Sequence, residues 1–289
     1  MIVRLAMQQI TRRSSVVVAL ACALVGQSVG AQEWRTLESS RQLGALTGTA
    51  SVRVEYAAGT IDLRPTVDAF LYRTKLTYDA ERSQPIATFD ETARTVTIGT
   101  RSASSNWSRG TKEGSTFRAE LTRNLPLRLS LELGAAKGDI QLGGLRLQEL
   151  SLATGATKLH IDFSEPNREP LARFDLDVGA AEVAVTHAGN ARASRTKVNI
   201  GVGSLDYDLD GHWEGDTDLS VNLALGKFTL RVPADVGVRV NAHTFLIDFA
   251  RTGLEKRGSA WYSAGYDSAK RHVTIQLSAA FGEFNLLHR

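Results

Sequence analysis

One acidic stretch has the residue types and the spacing of a calcium-binding loop. Asp206, Asp208 and Asp210 take the first, third and fifth positions and Gly211 the sixth, as in the first half of an EF-hand loop. The twelfth position, where that loop needs a bidentate Glu, is Thr217. The residues between the aspartates are apolar, which fits a strand with one buried face. We therefore expect these carboxylates to project into water, and we predict no metal site.

The other polar residues do not form a recognisable catalytic set. No Gly-x-Ser-x-Gly motif and no dinucleotide-binding fingerprint occurs in the chain. We therefore predict a protein that is not an enzyme, with no catalytic, cofactor-binding or metal-binding residues and no cofactor. A repeat fold could still bring separated histidines together. The six histidines lie 16 to 31 residues apart, without a His-x-His or His-x-x-x-His spacing, at His160, His187, His212, His243, His272 and His288.

Four aromatic residues lie in predicted loops or caps. They are Trp107, Trp213, Trp261 and Tyr262. Exposed aromatic rings can stack on sugars or anchor a protein partner, whereas buried rings seal the corners of a fold. We favour the sealing role and keep recognition as the alternative.

These residues must be positioned by a repeated element that runs through most of the chain. A small residue and a polar residue precede two apolar residues that are separated by one position, and an alternating stretch such as 198–202 comes before each copy. Apolar residues at every second position predict strands with one buried face, and the small residue predicts a tight corner. The copies begin at Gly138, Thr157, Ala181, Gly203 and Gly226, with a looser copy at Phe245 and outlying copies at Gly59 and Gly282.

The predicted fold class is all-β, a β-solenoid with two short strands per coil of about 22 residues and an N-terminal β-hairpin cap. A single repeat buries about four apolar side chains, worth about 8 kcal/mol. Ordering its backbone costs roughly 20–40 kcal/mol, so the repeats must stack. An antiparallel sandwich is the alternative. Its hairpins would need frequent Asn-Gly or Asp-Gly turns, and only Asp210-Gly211 provides one.

The N-terminal segment has the pattern of a secretory signal. Arg12 and Arg13 precede the apolar stretch 16–25, and small residues lead to a predicted cleavage site after Ala31. A permanent signal anchor, a twin-arginine signal and lipidation at Cys22 are alternatives. We predict a periplasmic or secreted protein. The predicted segments are residues 1–31 as the signal peptide, 32–49 as a linker, 50–125 as an opening coil with a β-hairpin cap, and 126–289 as solenoid coils with a C-terminal cap.

Charge and cysteine content exclude several classes of protein. The chain has 34 Lys and Arg against 31 Asp and Glu, and three of the arginines lie in the predicted signal. The rest is neutral overall, so it lacks the basic surface of a nucleic-acid-binding protein. Its one cysteine, Cys22, also lies in the signal, which excludes disulfides and thiol catalysis in the secreted product. No later apolar run is long enough to span a membrane.

Three sequence runs resemble the toast-rack family, which is similar to the C-terminal extracytoplasmic domain of Lia-type cell-wall-active-antibiotic response proteins. They are residues 131–136, 177–183 and 231–238, and the resemblance covers about residues 50–287. It implies a β-solenoid at the bacterial envelope without established catalysis. Lia-type proteins carry membrane helices before this domain. This chain has only the predicted leader, which argues against a role as a membrane-bound repressor of a sensor kinase.

The predicted function is therefore that of a non-enzymatic envelope protein that binds a protein or an envelope polysaccharide through its sides or loops. A link to the cell-envelope stress response is a further expectation. One alternative is an extracellular polysaccharide-acting β-helix enzyme. A second alternative is a self-associating adhesive or structural module.

Overall fold

The structure consists almost entirely of β-strands. The computed structural model describes residues 19–20, 33–102, 114–250 and 253–288. Apart from 3-10 helices at Ala188–Ala191 and Tyr266–Ser268, the regular elements in these ranges are strands, which confirms the predicted all-β class. The strands are β1 (Ala19–Leu20), β2 (Trp34–Gln42), β3 (Ala50–Thr66), β4 (Phe70–Asp79), β5 (Ser83–Asp90), β6 (Thr95–Ser102), β7 (Thr116–Thr122), β8 (Pro126–Gln141), β9 (Arg146–Thr154), β10 (Lys158–Asp162), β11 (Arg173–Thr186), β12 (Arg195–Asp208), β13 (Thr217–Val232), β14 (Val236–Ala250), β15 (Leu254–Arg257), β16 (Ala260–Ser263) and β17 (Arg271–His288).

Two predicted features lie largely beyond the described ranges. The predicted signal peptide lies outside the described residues except for β1, which pairs antiparallel with β2. Trp107 and the centre of its predicted loop also lie outside them. Within the described ranges, no helix has the length and apolar character needed to cross a membrane.

The linker predicted for residues 32–49 is wrong for residues 34–42, which form β2. This strand pairs antiparallel with β4 along its whole length. Its polar composition hides it from a search for alternating apolar residues. The side chain that it buries is that of Ser39, whose hydroxyl lies 3.2 Å from the hydroxyl of Tyr72.

Each long strand bends near its middle, so that its two halves face each other across the core. In β12, Val198 and Ile200 are buried before the bend, and Leu205 and Tyr207 are buried after it. We call these halves the first limb and the second limb. Tyr207 packs against Phe174 in the first limb of β11, with ring centroids 6.4 Å apart. One apolar core therefore lies between the limbs.

Neighbouring bent strands pair parallel and in register. Leu205 of β12 lies opposite Val183 of β11 and Phe228 of β13. Parallel pairing in register stacks equivalent side chains at the strand spacing of about 4.8 Å. The rings of Phe228 and Phe284 stack in this way, with centroids 5.3 Å apart.

The order of strands in the stack differs from their order in the chain. From one end, β6 and β7 are followed by β3, β8, β9 with β10, β11, β12, β13, β17 and β14. The repeat copy at Gly282, an outlier in the sequence, thus stacks directly on the copy at Gly226. Inserting β17 leaves β14 at the end of the stack. There the hairpin that follows β14 in the chain can cover its first limb.

The predicted corner is a bend, and in several coils the bend is made by a glycine in a conformation that other residues rarely adopt. Gly203, Gly226 and Gly282 are aligned and have φ values of 139°, 148° and 131°. A Cβ atom at Gly226 would lie 1.9 Å from the carbonyl oxygen of Gly203. Because only glycine adopts this backbone conformation readily and needs no room for a Cβ, these positions cannot carry a side chain without strain.

Antiparallel strands cover both ends of the stack. At one end, β5 pairs with β6 and β4 pairs with β7. At the other end, β16 pairs with Arg239 and Val240 of β14, and β15 completes the hairpin. Trp261 of β16 packs edge-on against Phe249, with centroids 6.2 Å apart. These strands shield the core where the stacking stops.

Candidate binding groove

A long groove runs along the outer face of the first limbs. It has a volume of about 1450 Å³ and extends from Glu55 on β3 to Phe245 on β14. We call it the outer groove. Its lining is formed by two adjacent columns, one of small residues and one of mainly polar residues. Because each stacked strand contributes one residue to each column, the lining repeats at the strand spacing of about 4.8 Å.

The floor of the outer groove has almost no side chains. A Cβ atom at Gly134 would lie 2.3 Å from the carbonyl oxygen of Ala57, and one at Gly201 would lie 2.9 Å from that of Gly179. Phe245 holds the equivalent position on β14 and closes this end. A ligand in the groove can therefore approach the backbone closely. The floor residues are Ala57, Gly134, Gly155, Gly179, Gly201, Ala224 and Ala280.

The polar column is held in place by hydrogen bonds between coils. Asn199 donates from Nδ2 to Oδ1 of Asp177 at 2.5 Å, and Asn222 donates from Nδ2 to Oδ1 of Asn199 at 2.8 Å. The amides all point in the same direction along the stack, so their orientation is set before any ligand binds. In stacking order, the column is Glu55, Glu132, Ala153, Asp177, Asn199, Asn222, Ser278 and His243.

Arginines balance the acidic end of the outer groove. Nε and Nη2 of Arg101 donate to the two carboxylate oxygens of Glu55 at 2.6 and 3.0 Å. These hydrogen bonds hold the pKa of Glu55 below its usual value, although burial acts in the opposite direction. Arg53 lies 3.7 Å from Glu132. Glu55 is therefore ionised at neutral pH and can accept hydrogen bonds from a ligand, but it cannot act as a general acid.

A second cluster of titratable residues lies on the second limbs, away from the groove. Oδ1 of Asp162 accepts hydrogen bonds from the hydroxyl of Thr186 and from Nδ1 of His187, both at 2.7 Å. Nε2 of His160 lies 3.1 Å from Oγ1 of Thr186, and its Nδ1 lies 3.4 Å from Asp139. The fold thus brings together two histidines that are 27 residues apart in the sequence.

This cluster connects neighbouring coils and does not activate a nucleophile. The hydroxyl of Thr186 donates to Asp162, so its proton is not directed at the His160 ring that would act as its base. Burial raises the pKa of Asp162, but the hydrogen bonds from His187 and Thr186 outweigh this effect, and the pKa is lowered overall. We interpret the cluster as an ionic link between strands.

The aspartates of the calcium-like stretch do not converge on one point. Asp206 lies 3.2 Å from Arg231. Asp208 accepts the backbone N–H of Asp210 at 3.0 Å, and Asp210 accepts that of Gly211 at 2.8 Å. Among the residues that the structure describes, no three His, Cys, Asp or Glu side chains are placed to hold a metal ion. These carboxylates act as turn acceptors and surface ion-pair partners.

The described aromatic residues of the loops and caps pack within the protein. Trp213 is buried and donates from Nε1 to the carbonyl oxygen of Leu209 at 2.7 Å. Trp261 contacts Phe249 in the end cap. Tyr262 packs against Tyr266, the first residue of the second 3-10 helix, and the two ring centroids lie 4.9 Å apart. These contacts fit the sealing role.

The outer groove was missed in the sequence, although its polar column leaves a signal there. Asp177, Asn199 and Asn222 follow one another at intervals of 22 and 23 residues, close to the repeat length. The inward-facing apolar positions define the repeat in the sequence, and they carry no information about this column. Aligning the outward-facing positions as well would have revealed a periodic polar column.

Comparison with known proteins gives distant structural similarities. The chain is similar to a candidate cell adhesion protein from Clostridium sporogenes, with 13% identity, a TM-score of 0.45, and coverage of 89% of this chain and 100% of that one. A candidate adhesin from Bacteroides fragilis gives 9% identity, a TM-score of 0.39, and coverages of 88% and 98%. A candidate lipid binding protein from Parabacteroides distasonis gives 10% identity and a TM-score of 0.32, with coverage of 90% of this chain and 98% of that one.

Family membership follows from the sequence itself. No curated protein matches the chain. The family model described as the N-terminal domain of toast_rack, DUF2154, matches residues 33–186. This match covers more than half of the chain, including β2 to β11. The chain therefore belongs to the toast-rack family.

Proposed function

We propose that this protein is a non-enzymatic component of the bacterial envelope that binds an extended polysaccharide in its outer groove. In this proposal, a leader over residues 1–31 is cleaved after Ala31, and the product is periplasmic or secreted. Residues 50–125 provide the opening coil and cap, and residues 126–289 provide the remaining coils. By analogy with the Lia-type domains that the three sequence runs resemble, we propose the cell-envelope stress response as its setting.

The scaffold in this proposal is a β-solenoid. Parallel pairing in register from β3 to β14 supports it, because each coil then adds one residue to every column. No coil buries both of its limbs without its neighbours. Such a scaffold presents equivalent side chains at a regular spacing, and that arrangement suits a ligand made of repeated units.

The observation that carries the proposal is the hydrogen-bonded column of Asp177, Asn199 and Asn222 beside a floor of glycine and alanine. Carboxylate and amide groups together accept and donate hydrogen bonds, as sugar hydroxyls require. The floor strands are already paired with neighbours on both sides. A peptide therefore cannot add to them as a further strand, which favours a polysaccharide over an extended polypeptide.

The charge of the outer groove narrows the class of polysaccharide. Arg101 and Arg53 offset the charges of Glu55 and Glu132, and Asp177 adds a carboxylate beside the neutral amides of Asn199 and Asn222. Carboxylates repel a polyanion, so we propose a neutral or amino-bearing polymer. A glycosidase would need a carboxyl with a raised pKa as its general acid, whereas the pKa of Glu55 is lowered.

Titration calorimetry with neutral envelope polysaccharides tests this function. Each lost hydrogen bond costs about 0.5–1.5 kcal/mol, so the double variant Asn199→Ala/Asn222→Ala should bind roughly 5- to 150-fold more weakly. Ala224→Trp should also block binding, because it fills the floor of the groove at an exposed position.

Asn285→Ala provides the matched control. Asn285 lies on the second limb of β17, and its Nδ2 donates to Glu283 at 2.6 Å, outside the outer groove. It should bind the polymer like the wild-type protein. Wild-type affinity in the double variant would contradict the proposal. Steady release of new reducing or unsaturated ends would support the enzyme alternative instead.

A further inference from the structure

Each end of the stack presents two open strand edges, one on the first limb and one on the second. Other strands of the chain pair with three of these four edges. β5 covers β6, β4 covers β7, and β16 covers Arg239 and Val240 in the first limb of β14. Within the described residues, the second limb of β14 pairs with β17 alone. Residues 244–246, at the end of the first limb, are likewise paired with β17 alone among the described residues, and we call residues 244–250 the uncovered edge. Its outward backbone N–H and C=O groups are available to another strand.

The uncovered edge also carries large exposed apolar side chains. Phe245 is 77% exposed and Leu246 is 60% exposed. Phe281 of β17 is 46% exposed and packs edge-on against Phe245, with ring centroids 6.1 Å apart. Leu246 lies opposite Phe281 on β17, and Phe281 lies opposite Leu225 on β13, so these three residues form one apolar column that runs inward from the edge. A contiguous apolar patch beside an unpaired strand marks a site of association.

We propose that this edge is a dimer interface, at which residues 244–248 of β14 pair antiparallel with the same residues of a second copy. The three strands that cover the other edges all run antiparallel to the strand they cover. An antiparallel pair of identical strands is closed by a twofold axis, so this contact uses the β14 edge of both copies and cannot propagate into a longer polymer. A second copy therefore completes the stack in the same way as the chain's own covering strands.

The residues of the edge select the register of this pairing. A twofold axis at Leu246 places the two Leu246 side chains opposite each other, Phe245 opposite Ile247, and Thr244 opposite Asp248. Moving the axis to Asp248 would place two carboxylates directly opposite each other, which is destabilising. Moving it to Ile247 would place Leu246 against Asp248. The edge is therefore complementary to itself in the register centred on Leu246.

Sedimentation velocity of the purified protein from submicromolar to high micromolar concentrations tests the interface. We expect a monomer that converts to a dimer, and we expect Leu246→Lys to remain monomeric because it places two ammonium groups opposite each other. Leu225→Lys is the control. Leu225 is 51% exposed in the same column but belongs to β13 in the interior of the stack, so this variant should still dimerise.

Disulfide trapping tests the register. In a background in which Cys22 is replaced by serine, Leu246→Cys should form a covalent dimer on oxidation and Leu225→Cys should not. A wild-type protein that stays monomeric throughout would overturn the proposal, and so would a dimer that persists in Leu246→Lys. Polymers that keep growing with concentration would overturn the closed twofold arrangement. These experiments contain no polysaccharide, so their failure is distinguishable from a failure of binding in the outer groove, although Phe245 belongs to both the groove and the edge.

Discussion

Replacing Gly226 with alanine is expected to destabilise the stack in its interior, between β12 and β17. The backbone of Gly226 has a φ of 148°, a region that costs other residues about 1–3 kcal/mol. The new Cβ atom would also lie 1.9 Å from the carbonyl oxygen of Gly203. To relieve this clash, β13 must move away from β12. Loss of two hydrogen bonds would add about 1–3 kcal/mol.

These two contributions together give a loss of roughly 2–6 kcal/mol in the free energy of unfolding. For a protein of this size, 1 kcal/mol shifts Tm by about 2–4 °C, so Gly226→Ala should lower Tm by roughly 4–24 °C. Differential scanning calorimetry measures this shift. Urea denaturation gives the free energy independently and shows whether the transition remains cooperative.

Gly215→Ala is the control for the loss of a glycine as such. No atom lies within 4 Å of the position that its Cβ would take, and its φ lies outside the left-handed region. This variant should be unchanged or stabilised by up to about 1 kcal/mol, because alanine reduces the entropy of the unfolded chain. If Gly226→Ala melts like Gly215→Ala, the close approach of strands at the bend does not constrain the stack, and our reasoning is refuted.

Two further predictions concern polar groups that connect coils. Asp162→Asn should be less stable than the wild-type protein at neutral pH. Because the pKa of Asp162 is lowered in the folded protein, its carboxylate stabilises the fold fully above its unfolded pKa, and this stabilisation is lost as the pH falls through its folded pKa. The Tm difference between the variant and the wild-type protein should therefore shrink below about pH 4. A constant difference down to about pH 2 would contradict this. Buried Asn167 accepts the N–H of Leu147 at 2.8 Å and donates to the carbonyl oxygen of Leu147 at 2.7 Å. Asn167→Leu leaves both backbone groups unsatisfied, and each such buried group costs about 1–3 kcal/mol. The variant should therefore lose about 3 kcal/mol or more of the free energy of unfolding in urea denaturation. A loss below 1 kcal/mol would show that water replaces the amide.

The bent strands could be predicted from the sequence because their signals are local. Alternation such as Val198-x-Ile200 specifies which face of a limb is buried, whatever strand lies beside it. The glycine at the corner is required by its own backbone conformation and by the strand next to it. The missed strand β2 shows the limit of this signal, because a strand that buries Ser39 leaves no apolar alternation to detect.

The register between coils is less well determined. The repeated pattern aligns Gly138 with Thr157, which would put Ile140 opposite Leu159. In the structure, Ile140 lies opposite Ile161, two residues further along. A shift of two residues keeps the same face buried, so the apolar pattern fits both registers equally well. Packing of the limbs decides between them.

By itself, the sequence determined the all-β class, the bent unit of the repeat and membership of the toast-rack family. Alternation, corner glycines and family motifs are properties of short segments, so these conclusions do not depend on how the segments are assembled. Only the tertiary structure decided that β17 enters the stack between β13 and β14, which leaves the second limb of β14 uncovered. It also aligned Asp177, Asn199 and Asn222 into a groove, because outward-facing side chains acquire neighbours only when coils stack.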